Sequence, residues 1–248
     1  MDDDGQPLEL DVATVLEVLA QGELEGLGTL PYSSNYTLLC RADYQGITLP
    51  AVYKPRRGER PLWDFPQGTL CQREVAAYLL SEALGFSLVP PTVLRDGPYG
   101  IGSVQLFIDA DPEAHLFTMQ QEDGYETAIR QLVLFDIVAN NADRKSGHCL
   151  KGHDGRLWAI DHGICFHNEY KLRTVLWEYI SEPIPEQDLS ALQELHEQLK
   201  ASNDLSQMFE ELLSTAEMRA LRRRVERLLR TGLYPAPGPG PNIPWPPV

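Results

Sequence analysis

The sequence predicts an α+β chain folded as two lobes, a small antiparallel β-rich N-lobe with one key helix and a mainly helical C-lobe. Three observations predict it. Short runs rich in Val, Ile, Leu and Tyr, separated by turn residues, recur through the first 108 residues. From Asp111 onward the apolar spacing becomes that of helices. At 248 residues and 43% hydrophobic content, the chain can bury a sizeable core without staples.

The elements follow in order. Val12, Leu16 and Leu19 share one face, which predicts a helix over 12–19. Residues 22–39 read as extended, broken at Pro31-Tyr32-Ser33-Ser34-Asn35. Residues 36–40 and 48–53 read as strands joined by a turn near Gln45-Gly46. Residues 55–68, rich in Arg, Pro and Gly and carrying Trp63, form a loop. Thr69 with Gln72 predicts a capping box at the start of a helix that Gly85 ends in the left-handed conformation. Residues 89–94 and 102–108 read as further strands.

In the second lobe, Ile129, Leu132, Val133, Asp136, Ile137 and Ala139 lie on a helix ending at Asn140-Asn141. A short hairpin comes next, then helices near 172–180, 189–199 and 216–229. In the last of these, Leu221, Val225, Leu228 and Leu229 point inward, so Arg222-Arg223-Arg224 is expected on a solvated face. The final 14 residues hold 7 of the 19 prolines and read as a polyproline-like, disordered tail. The resulting divisions are 1–109, 110–232 and 233–248.

Charge excludes some functions. Lys and Arg total 21 against 36 Asp and Glu, a net charge of −15. Such a surface repels nucleic-acid phosphates and anionic membranes. No apolar run approaches the length of a membrane span, so neither nucleic acid nor integral membrane association is expected. The four cysteines form no Cys-x-x-Cys pair, and the N-terminus is acidic, unlike a signal peptide. A cytoplasmic protein with reduced thiols is expected.

The most informative stretch is Asn141-Ala142-Asp143-Arg144 to His148-Cys149-Leu150-Lys151, then Asp154-Gly155, then Leu157-Trp158-Ala159-Ile160-Asp161-His162-Gly163. A two-residue turn at Asp154-Gly155 sets Lys151 against Trp158, Cys149 against Ile160 and His148 against Asp161. His148 and Asp161 then share one end of the hairpin, and Asp143 curls over the same end. Two carboxylates and an imidazole there suit a divalent cation completed by substrate phosphates.

Asn-x-Asp-Arg, a short hairpin and Ile-Asp-x-Gly resemble the catalytic and metal-binding loops of the phosphatidylinositol 3-/4-kinase-like atypical kinases. That group includes HipA-type protein kinases and the secretory-pathway casein kinases. Upstream pieces match in order. Ala51-Val52-Tyr53-Lys54-Pro55 is similar to the strand bearing the ATP-binding lysine. Arg73-Glu74-Val75-Ala76-Ala77-Tyr78 followed by Leu88-Val89-Pro90-Pro91-Thr92 resembles the helix with an acidic partner and its exit strand. Ser103-Val104-Gln105-Leu106-Phe107 resembles the strand entering the hinge. The resemblance covers about residues 22–180, and more narrowly it points to a bacterial kinase-like family whose substrate is unassigned.

The resemblance implies a protein-kinase-like fold and ATP-dependent phosphoryl transfer, which depends on positioning and charge neutralisation more than on covalent chemistry. It assigns Lys54 to the ATP phosphates and Glu74 to Lys54 or the metal. Ser33, Ser34 and Asn35 fall at a phosphate-binding turn, and the backbone from Phe107 to Asp109 at the adenine edge. Asp143 would orient or deprotonate an acceptor hydroxyl. Arg144 would fix the loop or neutralise phosphate. Asp161 would hold Mg²⁺ or Mn²⁺. One departure stands out: the family pattern has Asn five residues after the catalytic Asp, and here that residue is His148. Imidazole suits Mn²⁺ better than Mg²⁺, so His148 with Asp161 implies an altered metal preference or a site with one firm ligand. The acceptor, a small molecule, lipid headgroup or protein, is not identified.

Three rivals stay open at this level. His148, His153, His162 and His167 fall within 20 residues beside Cys149 and Cys165, which would suit zinc, although no spacing matches a standard module. A nucleotide-binding protein with little catalysis would act through interactions. Nucleotidyl transfer would use the same residues. Lys171 and Arg173 are either acceptor grips or ordinary surface charges.

Overall fold

The computed structural model describes residues 10–30 and 35–247. Ser33 and Ser34 therefore lie outside the described residues. The chain packs as two compact units, Met1–Arg60 with Pro91–Phe107, and Pro61–Pro90 with Ile108–Val248.

The first unit is a five-stranded antiparallel sheet with one helix on it. Helix α1 (Val12–Gln21) starts where Asp11 accepts the Thr14 amide at 2.7 Å. The strands are β1 (Glu23–Thr29), β2 (Leu38–Tyr44), β3 (Ile47–Pro55), β4 (Thr92–Gly97) and β5 (Gly100–Leu106), in sheet order β1-β2-β3-β5-β4. Gln45 and Gly46 both take positive φ, 49° and 83°, the requirement of a tight two-residue hairpin between β2 and β3. Val15, Val18 and Leu19 of α1 bury against Cys40, Ala42, Ala51, Tyr53 and Val104. Arg95 of β4 fastens the helix end by donating to the Leu19 and Gly22 carbonyls at 3.1 and 2.7 Å.

The second unit is helical. It contains α2 (Leu70–Ala83), the single turn α3 (Leu116–Met119), α4 (Glu126–Ala139), the hairpin β6 (Cys149–Lys151) and β7 (Leu157–Ala159), then α5 (Glu186–Lys200), α6 (Asp204–Leu212) and α7 (Thr215–Thr231). Its core gathers Leu132, Phe135, Leu192, Phe209 and Leu221, all fully buried. Helix α2, inside the stretch 1–109, packs with this unit, against α4 and α6. No helix among the described residues is long and apolar enough to cross a membrane.

Four local expectations are corrected. Thr69 precedes α2 but makes no side-chain cap; its hydroxyl donates to Pro66 O at 2.8 Å, so the capping box does not form. Residues 172–180 form no helix, because their backbone is spent on other partners, described below. Helix α6, capped by Asn203 accepting the Ser206 amide at 2.9 Å, was not expected. The proline-rich end is not loose. Tyr170 OH accepts the Gly238 amide at 3.0 Å, and Asn242 O accepts from Thr174 N and from Trp177 Nε1, both at 3.0 Å. Pro247 O accepts the Ser146 amide at 3.0 Å. Proline content removes donors, but the Gly238 amide and the Asn242 and Pro247 carbonyls still find partners upstream.

Candidate functional site

The loop after α4 is built on a buried ion pair. Asn140 takes the left-handed conformation, φ 54° and ψ 50°, and stops the helix. Its side chain then donates to His167 O and Glu169 O at 3.0 and 2.6 Å and accepts the Lys171 amide at 2.9 Å. Asn141 donates to Asp136 Oδ1 at 2.9 Å and accepts the Asp143 amide at 3.0 Å. Arg144, wholly buried, grips both oxygens of Asp136, Nε at 2.9 Å and Nη2 at 3.0 Å. Its Nη1 reaches His148 O and Ile160 O, each at 3.2 Å, and Nη2 meets His162 Nε2 at 2.7 Å. Arginine only donates, so the His162 Nε2 accepts. Burial opposes the charge on Arg144, but Asp136 outweighs it and holds the guanidinium pKa above its ordinary value. Of the two roles the sequence offers Arg144, its geometry is that of fixing the loop, since a side chain with no exposed surface has no face to offer phosphate.

The hairpin differs from the expected register by one residue. Cys149 faces Ala159, Leu150 faces Trp158 and Lys151 faces Leu157. The loop has three residues, His153 to Gly155, closed by Gly152 N to Arg156 O at 3.0 Å, with Gly155 at φ 77°. A three-residue loop ending in a left-handed residue is the next commonest hairpin, and its odd residue moves the partnering by one. His148 O therefore accepts from Ile160 N at 3.0 Å. His148 and Asp161 still meet, Nε2 to Oδ2 at 3.5 Å, because Asp161 leaves the strand at φ 63°.

Asp143 and Asp161 act on one another. Burial raises the Asp143 carboxyl above its ordinary value; Lys145, with Nζ at 3.3 Å, opposes that; the charge of Asp161 raises it further. Asp161 keeps about half its side chain exposed, at 48%, and Asp143 about a quarter, at 27%. This donor set fits a cation that takes one or two carboxylates and leaves its other positions to phosphate oxygens and water. Among the described residues no group of three or more His, Cys, Asp and Glu is arranged to hold a metal by itself. The zinc reading loses two of its ligands: His162 is committed to Arg144, and His167 to Asp64 O at 2.9 Å and the Glu169 amide at 3.0 Å.

Glu74 is 2% exposed on α2, and its Oε2 accepts the His162 amide at 3.0 Å. It thereby holds the segment that presents Asp161. Next to it Arg73, also buried, donates to Cys165 O at 2.7 Å and pairs with Glu217. Lys54 lies on β3 opposite Ser103, and Asn35 accepts the Arg60 amide at 2.8 Å. The Phe107 amide is used within the first unit, donating to Pro50 O at 3.0 Å, and Asp109 O accepts from His153 N at 3.4 Å. Lys171 is neither loose nor poised for an acceptor: it pairs with Asp64 at 3.0 Å over the face of Trp63.

In the sequence Asp136 reads only as part of a helix face. The signal was there: a carboxylate in an otherwise apolar stripe needs a buried partner. Residues 171–175 complete the frame. Arg173 N donates to Asn141 O and Arg144 N to Arg173 O, both at 2.9 Å, and Thr174 bridges Arg144 in parallel.

No family model matches the chain. Protein Rv2133c of Mycobacterium tuberculosis is 42% identical, over 92% of this chain and 94% of that protein. Phosphatidylinositol 4-kinase gamma 2 of Arabidopsis thaliana is 27% identical over 61% of this chain, and the match spans 39% of that longer protein. Among solved structures, the Golgi casein kinase with Mn/ADP bound aligns at a TM-score of 0.55 with 14% identity, over 89% of this chain and 75% of that one. The fold is protein-kinase-like, as the sequence resemblance implied.

Proposed function

The chain belongs to the family of Mycobacterium tuberculosis Rv2133c and has a protein-kinase-like fold, and from that premise we propose that it is an ATP-dependent phosphotransferase acting on a hydroxyl acceptor. One observation carries the reading. Asp143 and Asp161 lie within electrostatic reach of each other at one end of the hairpin, on loops fixed by the Arg144–Asp136 pair.

Asp143 is the group to accept the hydroxyl proton at its carboxylate; burial raises its pKa, which makes it a stronger base, and Lys145 partly offsets that rise. Asp161 and His148 would hold Mg²⁺ or Mn²⁺, which would neutralise charge on the β- and γ-phosphates. The Golgi casein kinase, solved with Mn and ADP, supports that cofactor pair. Lys54, on β3, is assigned to the nucleotide phosphates by the sequence resemblance. Glu74 and Arg144 are positioning residues: they hold the backbone that presents Asp161 and Asp143.

Calorimetry with ATP in Mg²⁺ and in Mn²⁺ tests the nucleotide claim. Binding is expected, tighter in Mn²⁺ because of His148; no binding in either metal at millimolar ATP overturns the reading. Asp143→Asn is expected to lower turnover by about 100-fold or more while leaving ATP affinity within about tenfold. Equal turnover in both proteins would favour a nucleotide-binding protein that acts through interactions. ATP labelled at the α- or γ-phosphate separates nucleotidyl from phosphoryl transfer.

A further inference from the structure

A cavity of about 540 Å³ opens within the second unit, walled by α4, α7 and the C-terminal segment. Ile137, Leu172, Leu228 and Leu233 give it an apolar surface, and Arg224 and Arg227 stand in its wall. The sequence places Arg224 on a solvated helix face, but the structure turns it inward. Its Nε donates to Val138 O at 2.7 Å and its Nη1 to His167 O at 3.3 Å. Its Nη2 is buried and has no hydrogen-bond partner among the described residues. Burial pushes Arg224 down to about 9. Glu217 acts on it, but that carboxylate is already taken by Arg73 and by Ser214. A guanidinium held by carbonyls alone, beside an apolar hollow, is short of a counter-charge.

We propose that this cavity binds a small amphipathic anion, a carboxylate or phosphate on a short apolar body, with Arg224 and Arg227 gripping the head. Its volume falls in the range of about 300–1,000 Å³ typical of small-molecule sites. The apolar wall takes the body, and the fork of Arg224 takes the charge in a geometry that suits carboxylate and phosphate oxygens. The two carbonyls that Arg224 already holds belong to the last turn of α4, ahead of Asp143, and to the segment after Asp161. The far wall, Pro235 to Pro239, continues to the carbonyl that accepts the Ser146 amide. An anion drawing on Arg224 therefore acts on segments that carry both carboxylates. That coupling rests on the phosphotransferase reading; the binding does not.

Octanoate, octyl phosphate, octanol and inorganic phosphate, each titrated below micellar concentration, form the test, read by thermal shift and calorimetry on the full chain without nucleotide. At least one of the two amphipathic anions is expected to bind saturably, about tenfold tighter than octanol or inorganic phosphate. The two heads, compared, say whether carboxylate or phosphate is preferred. Arg227→Glu, at an exposed position, is expected to weaken that anion by about tenfold or more and leave octanol unchanged. Arg224→Lys, which keeps the charge and loses the fork, is expected to weaken it likewise. Octanol binding as well as the anions, anion binding unchanged in both variants, or no saturable binding by either anion would overturn the proposal.

Discussion

Arg144 and Asp136 form a two-pronged ion pair sealed from water, 2.9 and 3.0 Å between the paired atoms, with 0% and 1% of the two side chains exposed. Breaking one member leaves the other charged and buried. Asp136→Leu or Arg144→Met is expected to cost about 3–5 kcal/mol in urea unfolding. The double variant Asp136→Leu with Arg144→Met should cost less than the two single costs added together, since neither charge is stranded. Strict additivity would mean the pair does not act as a unit.

Asp143 gives a pH prediction. Its folded pKa is raised, so the fold favours the protonated form. Its contribution to stability is present below the ordinary carboxylate value and is lost as pH rises through the raised one. Asp143→Asn is therefore expected to leave stability at neutral pH unchanged or slightly higher, within about 1 kcal/mol. In the metal-free protein, carboxyl-carbon NMR should show Asp143 titrating above an ordinary aspartate. Lys145→Ala should move that midpoint further up, because Lys145 is the largest influence lowering it. A downward move would contradict the arrangement.

The end of the chain yields a third expectation. Asn242 folds its own turn by donating to Gly238 O and Gly240 O, both at 2.9 Å. Its backbone carbonyl meanwhile serves Thr174 and Trp177. Asn242→Ala should cost about 1–2 kcal/mol. The Thr174 and Ser146 amides should then exchange with deuterium faster than neighbours in α4. Unchanged exchange at both would mean that the terminal segment does not restrain the Asp143 loop.

Thiol chemistry offers a fourth. Burial pushes the Cys149 thiol up to about 12 and Cys165 well above its ordinary value, and neither side chain is exposed. Both should resist an aromatic disulfide reagent at pH 8 until the protein unfolds. Rapid labelling of either in the native protein would show that the hairpin or the segment after Asp161 opens readily.

Much of the fold was legible because periodicity and turn chemistry are local. The five strands, α1, α2, α4 and α7 follow from spacing, and Gln45-Gly46 from turn preference. The failures share a cause, which is a backbone group claimed by something distant in sequence. Residues 172–180 carry helix-forming residues, yet Arg173 and Thr174 bond to Asn141, Arg144 and Asn242 instead. Composition made the proline-rich end read as loose, yet its carbonyls find amides far upstream. At the candidate site, Asp143, His148 and Asp161 were read from motif order. Their meeting survived an error of one residue in register, because the sequence does not announce a left-handed aspartate. Asp136 and Arg224 were visible as residues, but the burial of the one and the inward turn of the other are properties of packing.

The left-handed bend at Asp161 has a practical corollary. Among side chains with a Cβ, aspartate and asparagine tolerate this conformation best. An Asn there would keep the contour of the chain while removing the negative charge and one acceptor oxygen, whereas Ala or Val would disturb contour and chemistry together. The position thus offers a clean chemical excision: one heavy atom exchanged, shape preserved, and any loss of cation affinity attributable to the carboxylate rather than to the backbone.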